Sequence, residues 1–394
     1  MLKKIILWTL GAVVAIAAVL AVMVFVRYEA YPAEPSTRVA ELPNLTPHHA
    51  QLTEQLEDYR DTFDVPSISI AVGKDGQLVY AGAVGYADLA GEVAATPDSL
   101  YRIGSVSKSI TAAAMGALVE SGAYDLDADY RSYVPSFPEK RWQFSSRQLA
   151  SHLAGVRHYR RSFLAGMAEQ FHDVHYERVL DSLVLVKDDP LLFEPGTSYS
   201  YSSYGYNMLS AAMVAADGRA FTQILDEEIF QPADMASTFA EDAPSPHPQS
   251  VSYYLQFDGA SIRAPYADNS YKIAGGGLIA TPSDLVRFGQ ALLANKIINQ
   301  DTAAELYTVQ PLTDGSVDHK YALGFRVADR TINQVSYQEI GHGGGSIGGI
   351  TAFIMLPEAD LVLAAAINIS PWDSQASPFA IAYEFAEVLL TPEG

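Results

Sequence analysis

The chain of 394 residues has no cysteine. That absence excludes disulfides, thiolate nucleophiles, cysteine-ligated zinc and iron–sulfur clusters together. Positive charge is scarce: 25 Lys and Arg stand against 46 Asp and Glu, a formal net charge of -21. Such a surface repels nucleic acid and anionic lipid head groups, and no basic run offsets it. No His-Glu-x-x-His is present. The one histidine cluster with metal-like spacing, His172, Asp173 and His175 in "FHDVH", lies in a polar segment and reads as a solvated loop or helix face. Neither a metal nor a cofactor is expected. What the chain does have is 49% hydrophobic residues, enough to bury a large core.

Only one uncharged run is long enough for a membrane. Lys3 and Lys4 precede residues 5–26, which carry no charge; a spanning helix needs about 20 such residues. The run exceeds the usual core of a cleavable signal peptide, about 7 to 15 residues, and no clean small-x-small site follows it. Residues 1–30 therefore read as an uncleaved anchor, with the lysines inside and the rest on the non-cytoplasmic side, the periplasm in a bacterium. Residues 31–45, rich in proline and polar groups, read as a linker, and the folded part is expected over 46–392.

Within that part, "HHAQLTEQLEDYRDTF" has a helical pattern, followed by two strand-like runs, "SISIAVGK" and "QLVYAGAVGYADL". The far end mirrors it: "GITAFIMLP" and "LVLAAAINI" flank a turn, and "SPFAIAYEFAEVLL" closes the chain as an amphipathic helix. Strands at both ends around a mainly helical middle predict an α+β architecture. One antiparallel sheet would be built from the two ends and flanked by helices, with a helical region inserted.

In "YRIGSVSKSITAAAMGALVESG", residues 101–122, Ser105 and Lys108 stand three apart at the head of a run without charge. A helix apolar on all faces belongs in a core, and residues three apart share a face. Lys108 would sit at the mouth of that core, where burial disfavours the ammonium, and a free amine there can take the Ser105 proton. The plainer reading makes Ser105 a helix cap and Lys108 a side chain reaching to water.

Three other stretches bear on the choice. "EPGTSYSYSSYGYNML" clusters Tyr199, Tyr201, Tyr204 and Tyr206 before an apolar helical run. "IGHGGGSIGGITAF" sets His342 before glycines that allow close backbone approach and leave N–H groups free for an anion. Gly344-Gly345-Ser346-Ile347-Gly348 matches a Gly-x-Ser-x-Gly nucleophile elbow, but His342 is the last histidine and none follows Ser346, so that reading fails. "LASHLAGV" looks like a helix ending at Gly155, with His152 in a core.

Ser105-x-x-Lys108, Tyr201-x-Ser203 and His342-Gly343-Gly344, in this order, resemble the penicillin-recognising serine hydrolases, specifically the class C β-lactamase-like group. The likeness runs over roughly residues 46–390, and "YVPSFPEKRWQFSSRQLASHLAGVRHY" and "VKDDPLLFEPG" resemble its mitochondrial serine β-lactamase-like branch and bacterial relatives. It implies a β-lactamase/transpeptidase-like fold and an acyl-enzyme on Ser105, with Lys108 as base and Tyr201 passing the proton to the departing atom. The oxyanion would meet the N–H groups of Ser105 and Gly345, while Ser203, His342 and Gly344 would line the substrate. Two departures stand out: Ser203 replaces the usual Asn, and His342-Gly343 replaces the Lys-Thr or Lys-Ser that grips a carboxylate in true β-lactamases. The expected partners are a small-molecule or peptide substrate and the membrane, with no nucleic acid; homo-oligomerisation is left open. A non-catalytic binding or scaffold protein on the same fold is the alternative.

The anchor makes a prediction. The full chain should fractionate with membranes and become soluble when residues 1–30 are deleted; recovery of a soluble mature chain beginning after Val26 would instead identify a cleaved signal peptide.

Overall fold

The computed structural model describes residues 11, 13, 14, 36–160, 163–257, 260–371 and 376–391. The expected hairpin forms from β2 (Ser67–Lys74) and β3 (Gln77–Asp88). Asp75 and Gly76 between them both have positive φ, 52° and 71°, as a two-residue turn matched to sheet twist requires. The distal hairpin pairs β12 (Gly349–Leu356) with β13 (Leu361–Ile367), and β13 pairs with β2, so that Ile70 faces Ala365. The two chain ends thus share one antiparallel sheet, completed by β1 (Thr37–Val39), β10 (Arg326–Ile332) and β11 (Val335–Ser346) in the order β1-β3-β2-β13-β12-β11-β10; β4 (Val93–Ala94) pairs with β3 off this path.

Side-chain alternation explains why the central strands read as continuous apolar runs: both faces are covered. Ile68, Ile70, Val72 and Leu363 pack under helices α1 (His49–Phe63) and α6 (Pro378–Leu389) through Leu52, Leu56, Ile381 and Phe385. Ala71, Phe353 and Val362, on the opposite face, meet Val286 and Phe288 of α5 (Pro282–Leu293). The inserted region holds α2 (Ser107–Glu120), α3 (Ser146–Ala150) and α4 (Ser203–Asp217). As its composition predicts, α2 is buried along nearly its whole length. The middle also contains short strands that the sequence did not suggest: β5 (Tyr101–Arg102), β6 (Thr238–Ala240) and β9 (Leu278–Ala280) pair as a small sheet, and β7 (Tyr254–Phe257) pairs with β8 (Ala260–Arg263).

Two expectations need correction. The linker read over residues 31–45 is partly folded: Thr37, Arg38 and Val39 pair with Val84, Ala83 and Gly82, and the Thr37 hydroxyl donates to Glu57 at 2.6 Å. An edge strand is held by main-chain hydrogen bonds, which leave no side-chain period to read. The helix expected to run to Gly155 begins at a Ser145 and Gln148 capping box and ends at Ala150, because His152 takes a left-handed φ of 64° that cannot continue it. The anchor lies outside the described residues apart from 11, 13 and 14; among the described residues no helix is long and apolar enough to cross a membrane.

A buried ion pair braces the segment that leads into Ser105. Arg102, on β5, binds Glu241 at 2.7 Å, donates to the Ile347 carbonyl at 2.7 Å and lies 3.9 Å from the centre of the Tyr253 ring. Its side chain is 6% exposed and that of Glu241 8%. Breaking such a pair strands a charge in the interior at about 3–5 kcal/mol. Glu241→Ala should therefore lose stability of that order in denaturant unfolding, and a variant within about 1 kcal/mol of the parent would show that the brace carries little.

Candidate active site

Helix α2 begins in a 3-10 turn, Gly104–Val106, that presents Ser105 at the junction of the sheet and the helical region. One helical turn on, Lys108 is 0% exposed. Its Nζ lies 3.1 Å from Ser105 Oγ and 3.0 Å from Ser203 Oγ, and it donates to the Gly275 carbonyl. Burial, and then the positive charges of Lys272 and Arg326, hold the Lys108 pKa well below its ordinary value. The reading of Lys108 as a surface lysine is excluded.

The tyrosine cluster sorts itself by contact. Tyr206 donates to the Ala150 carbonyl at 2.8 Å, Tyr199 stacks on His319 with ring centres 4.6 Å apart, and Arg157 covers Tyr204 at 4.8 Å. Tyr201 has its ring centre 5.0 Å from Lys108 Nζ and interacts with the Ser105 side chain. Burial pushes its phenol well above the usual range, the Ser105 interaction opposing, so Tyr201 is a protonated donor at neutral pH.

Glycines let two backbones meet. Gly104 has a φ of 50°, and a Cβ built on it would lie 2.6 Å from the Gly345 nitrogen; one on Gly344 would lie 1.9 Å from the Ile103 carbonyl oxygen. The Ser105 turn therefore packs directly on β11, beyond Gly341, the last β11 residue paired with β10. Helix-start N–H groups have no intrahelical acceptor, and this contact brings the Ser105 and Gly345 amides to one place. Ser346 ends β11, paired with Gly349 across the turn into β12, and its Oγ has no hydrogen-bond partner among the described residues. The turn joins two strands, whereas a nucleophile elbow joins a strand to a helix.

His342, expected to line the substrate, is turned inward. It is 2% exposed, its Nδ1 donates to the Gly343 carbonyl at 2.6 Å, and its Nε2 is 3.0 Å from the Tyr321 hydroxyl. A carbonyl only accepts, so the ring proton is on Nδ1 and Nε2 accepts from Tyr321. No nitrogen remains for a carboxylate. Burial first and Lys108 second push its pKa down to about 3, so it is neutral throughout the working range.

Apart from His152, which the sequence placed in a core and which is buried, several residues of the site escaped the sequence reading. His152 and His158 accept the backbone N–H groups of Ser202 and Ser203, each at 3.2 Å, and so pin the segment that carries Tyr201 into α4. Tyr159 packs against Tyr204 and Tyr271, with ring centres 5.2 and 6.3 Å away, and burial raises its pKa to about 12. Lys272 and Arg326 supply the charges felt by Lys108. The run Gly275-Gly276-Gly277 after Lys272 was the available signal: such glycines mark a close backbone approach, and here Gly275 receives Lys108. His175 binds Asp268 at 2.8 Å, and among the described residues no group of three or more His, Asp or Glu side chains could hold a metal.

Comparison with known proteins agrees with this architecture. Residues 52–384 match the Beta-lactamase family, and the chain belongs to it, as a serine hydrolase. It is similar to "Serine beta-lactamase-like protein LACTB, mitochondrial" of Homo sapiens, 29% identical over 388 residues, covering 77% of this chain and 71% of that one. A D-aminopeptidase of Brucella anthropi is 28% identical over 281 residues, 71% of this chain and 51% of the relative. Among solved structures, D-amino acid amidase from Ochrobactrum anthropi SV3, complexed with D-phenylalanine, covers 86% of this chain and 98% of its own with a TM-score of 0.71 at 21% identity. The octameric penicillin-binding protein homologue from Pyrococcus abyssi gives a TM-score of 0.73 at 22% identity, covering 86% and 77%.

Both charges acting on Lys108 are positive, which sets the sign of a pH effect. Removing one with Arg326→Gln should raise the Lys108 pKa, so activity that needs the free amine would begin at higher pH. The acid limb of the kcat/KM profile measures this, and a limb that stays put or moves down would contradict it.

Proposed function

We propose that this protein cleaves amide bonds, and esters of similar shape, through an acyl-enzyme on Ser105, as a peptidase or amidase with weak or no action on β-lactams. The observation that carries the reading is the environment of Lys108 Nζ. A neutral amine has two N–H bonds and one lone pair. The Gly275 carbonyl can only accept and takes one N–H, Ser203 Oγ at 3.0 Å takes the other, and the lone pair is left for the Ser105 proton at 3.1 Å.

Chemistry follows from that geometry. Lys108 takes the Ser105 proton as Oγ attacks the substrate carbonyl carbon. The resulting oxyanion lies against the amides of Ser105 and Gly345, donors already in place and so needing no reorganisation. Tyr201, a neutral phenol beside Ser105, gives its proton to the departing nitrogen or oxygen and is re-protonated from Lys108. Water then attacks the acyl ester and the proton path runs in reverse, releasing the acid. The names of the D-aminopeptidase and D-amino acid amidase relatives favour amide substrates. Poor β-lactam turnover is argued from His342 and Gly343: the imidazole is fully engaged with Gly343 and Tyr321, and glycine has no hydroxyl to offer. The uncharged run at residues 5–26 supports a hydrolase domain held on the non-cytoplasmic face of a membrane.

Ser105→Ala should abolish hydrolysis and labelling by a fluorophosphonate while the fold persists. Lys108→Ala and Tyr201→Phe should each slow turnover about 100 to 10,000-fold. Ser346→Ala should retain most activity; a dead Ser346→Ala beside an active Ser105→Ala would overturn the assignment. kcat/KM for a chromogenic cephalosporin should fall below that for short peptide anilides, and the reverse order would refute the substrate reading. Absence of any labelling at Ser105 would favour the non-catalytic alternative.

A further inference from the structure

Tyr199 and His319 form an aromatic pair beside the nucleophile that the chemistry above does not use. Tyr199 stands two residues before Tyr201, and the two rings share the same neighbours. Centre to centre, the His152 ring lies 4.3 Å from that of Tyr201 and 6.0 Å from that of Tyr199, and the Tyr321 ring lies 5.9 Å and 6.2 Å from them. His152 and Tyr321 are buried, whereas Tyr199 and Tyr201 are only half-buried. The two tyrosines thus stand side by side on one aromatic floor. The Tyr201 ring centre is 5.0 Å from Lys108 Nζ, which is 3.1 Å from Ser105 Oγ.

His319 extends that surface away from the nucleophile. Its ring centre lies 4.6 Å from that of Tyr199 with 18° between the planes, a stacked pair, and it too is half-buried. Main-chain contacts hold the stack in place. His319 Nδ1 accepts the Tyr321 N–H at 3.3 Å, and Thr313, in the same loop, donates its N–H to the Gly196 carbonyl at 2.9 Å. A Cβ built on Gly196 would lie 2.9 Å from Thr313 Cγ2, so this loop packs directly on the segment that runs into Tyr199. The loop also leaves Val317, two residues before His319, 55% exposed. A stack already fixed in this way receives an apolar group without first having to be ordered.

We infer that the Tyr199–His319 stack binds the departing group of the substrate, so that the enzyme selects amides whose departing residue carries an aromatic side chain. This rests on the amide-hydrolase reading given above. Tyr201 gives its proton to the departing nitrogen, so that atom lies at Tyr201 and the residue it carries extends onto whatever stands beside that tyrosine. Toward Ser203 the neighbours are Lys108 and His158, whose ring is edge-on to Tyr201 at 5.4 Å, and both are engaged with the protein. On the other side stands Tyr199. A ring laid on the stack gains an aromatic contact in addition to the area it removes from water, which corresponds to about tenfold in specificity.

The test uses acyl transfer, which isolates the departing-group side. The full-length enzyme is acylated with the p-nitrophenyl ester of N-acetylglycine, and an added amino-acid amide competes with water for the acyl-enzyme. The amine nitrogen bonds to the acyl carbon, its proton passes by way of Tyr201 and Lys108 to Ser105 Oγ as the ester C–O bond breaks, and a new amide is released. Because this step is the cleavage run backward, the amine occupies the place of the departing group. With phenylalaninamide and alaninamide at equal concentration, in both enantiomers, the phenylalanine product should exceed the alanine product at least about tenfold. In Tyr199→Ala the ratio should fall to about one, Tyr199→Phe should keep it because the ring remains, and His319→Ala should lower it several-fold, about half of the effect on a logarithmic scale. A parent ratio near one overturns the inference, as does a ratio that survives Tyr199→Ala or is lost equally in Tyr199→Phe. Loss in Tyr159→Ala with Tyr199→Ala unaffected would put the departing group on the Ser203 side and also overturn it. Fluorophosphonate labelling of Ser105 checks that each variant keeps its site; should Tyr199→Ala fail it, the parent ratio and His319→Ala decide, an unchanged ratio in the latter overturning the inference. Absence of Ser105-dependent p-nitrophenol release would count against the hydrolase reading alone. Calorimetry of the two amides on Ser105→Ala then decides the stack, and equal affinities overturn it.

Discussion

An amine sealed from water is the constraint on which this structure turns. Lys108 is 0% exposed and sits among two hydroxyls, a carbonyl and further cations, with no carboxylate bound to it. Burying an ammonium with no carboxylate partner is expensive, and that cost holds the Lys108 pKa well below its ordinary value. Everything that makes the burial possible lies on other segments: the apolar body of α2, the start of α4 that supplies Ser203, and the short helix that supplies the Gly275 carbonyl. Basicity at this position is therefore a property of the packed domain.

The second requirement is close approach of two main chains. The Ile103–Ser105 turn lies so near β11 that a methyl group on Gly104 or Gly344 would collide with the backbone opposite. Small side chains permit this contact, and the buried Arg102–Glu241 pair holds it from the other end by tying β5 to the Ile347 carbonyl. The contact sets the Ser105 turn against β11 at the mouth of a buried helix.

Histidine plays an unexpected part here. His152, His158 and His342 all lie close to the reacting residues, and each acts through a hydrogen bond to the protein. Burial keeps His152 and His342 neutral, which is what allows His152 Nδ1 to accept from the Ser202 N–H and His342 Nε2 to accept from the Tyr321 hydroxyl. Their role in this geometry is to fix Tyr201, Ser203 and Tyr321.

The amino-acid order by itself determined the elements that have a period and the motif that has a spacing. Apolar runs over residues 67–74 and 361–367 marked buried strands, the uncharged run after Lys108 marked a core helix, and Ser105 and Lys108 three apart on a helix face had to be neighbours. Edge strand β1 and the early end of α3 were not legible, because main-chain pairing and a left-handed residue at His152 leave no hydrophobic pattern. Only the tertiary structure decided which of four tyrosines meets Ser105, that His342 turns inward to Tyr321, and that the charge of Lys272, distant in sequence, reaches Lys108. Contacts between residues far apart in the chain depend on how whole elements pack, and desolvation depends on everything around a group at once, so neither is written in any local stretch.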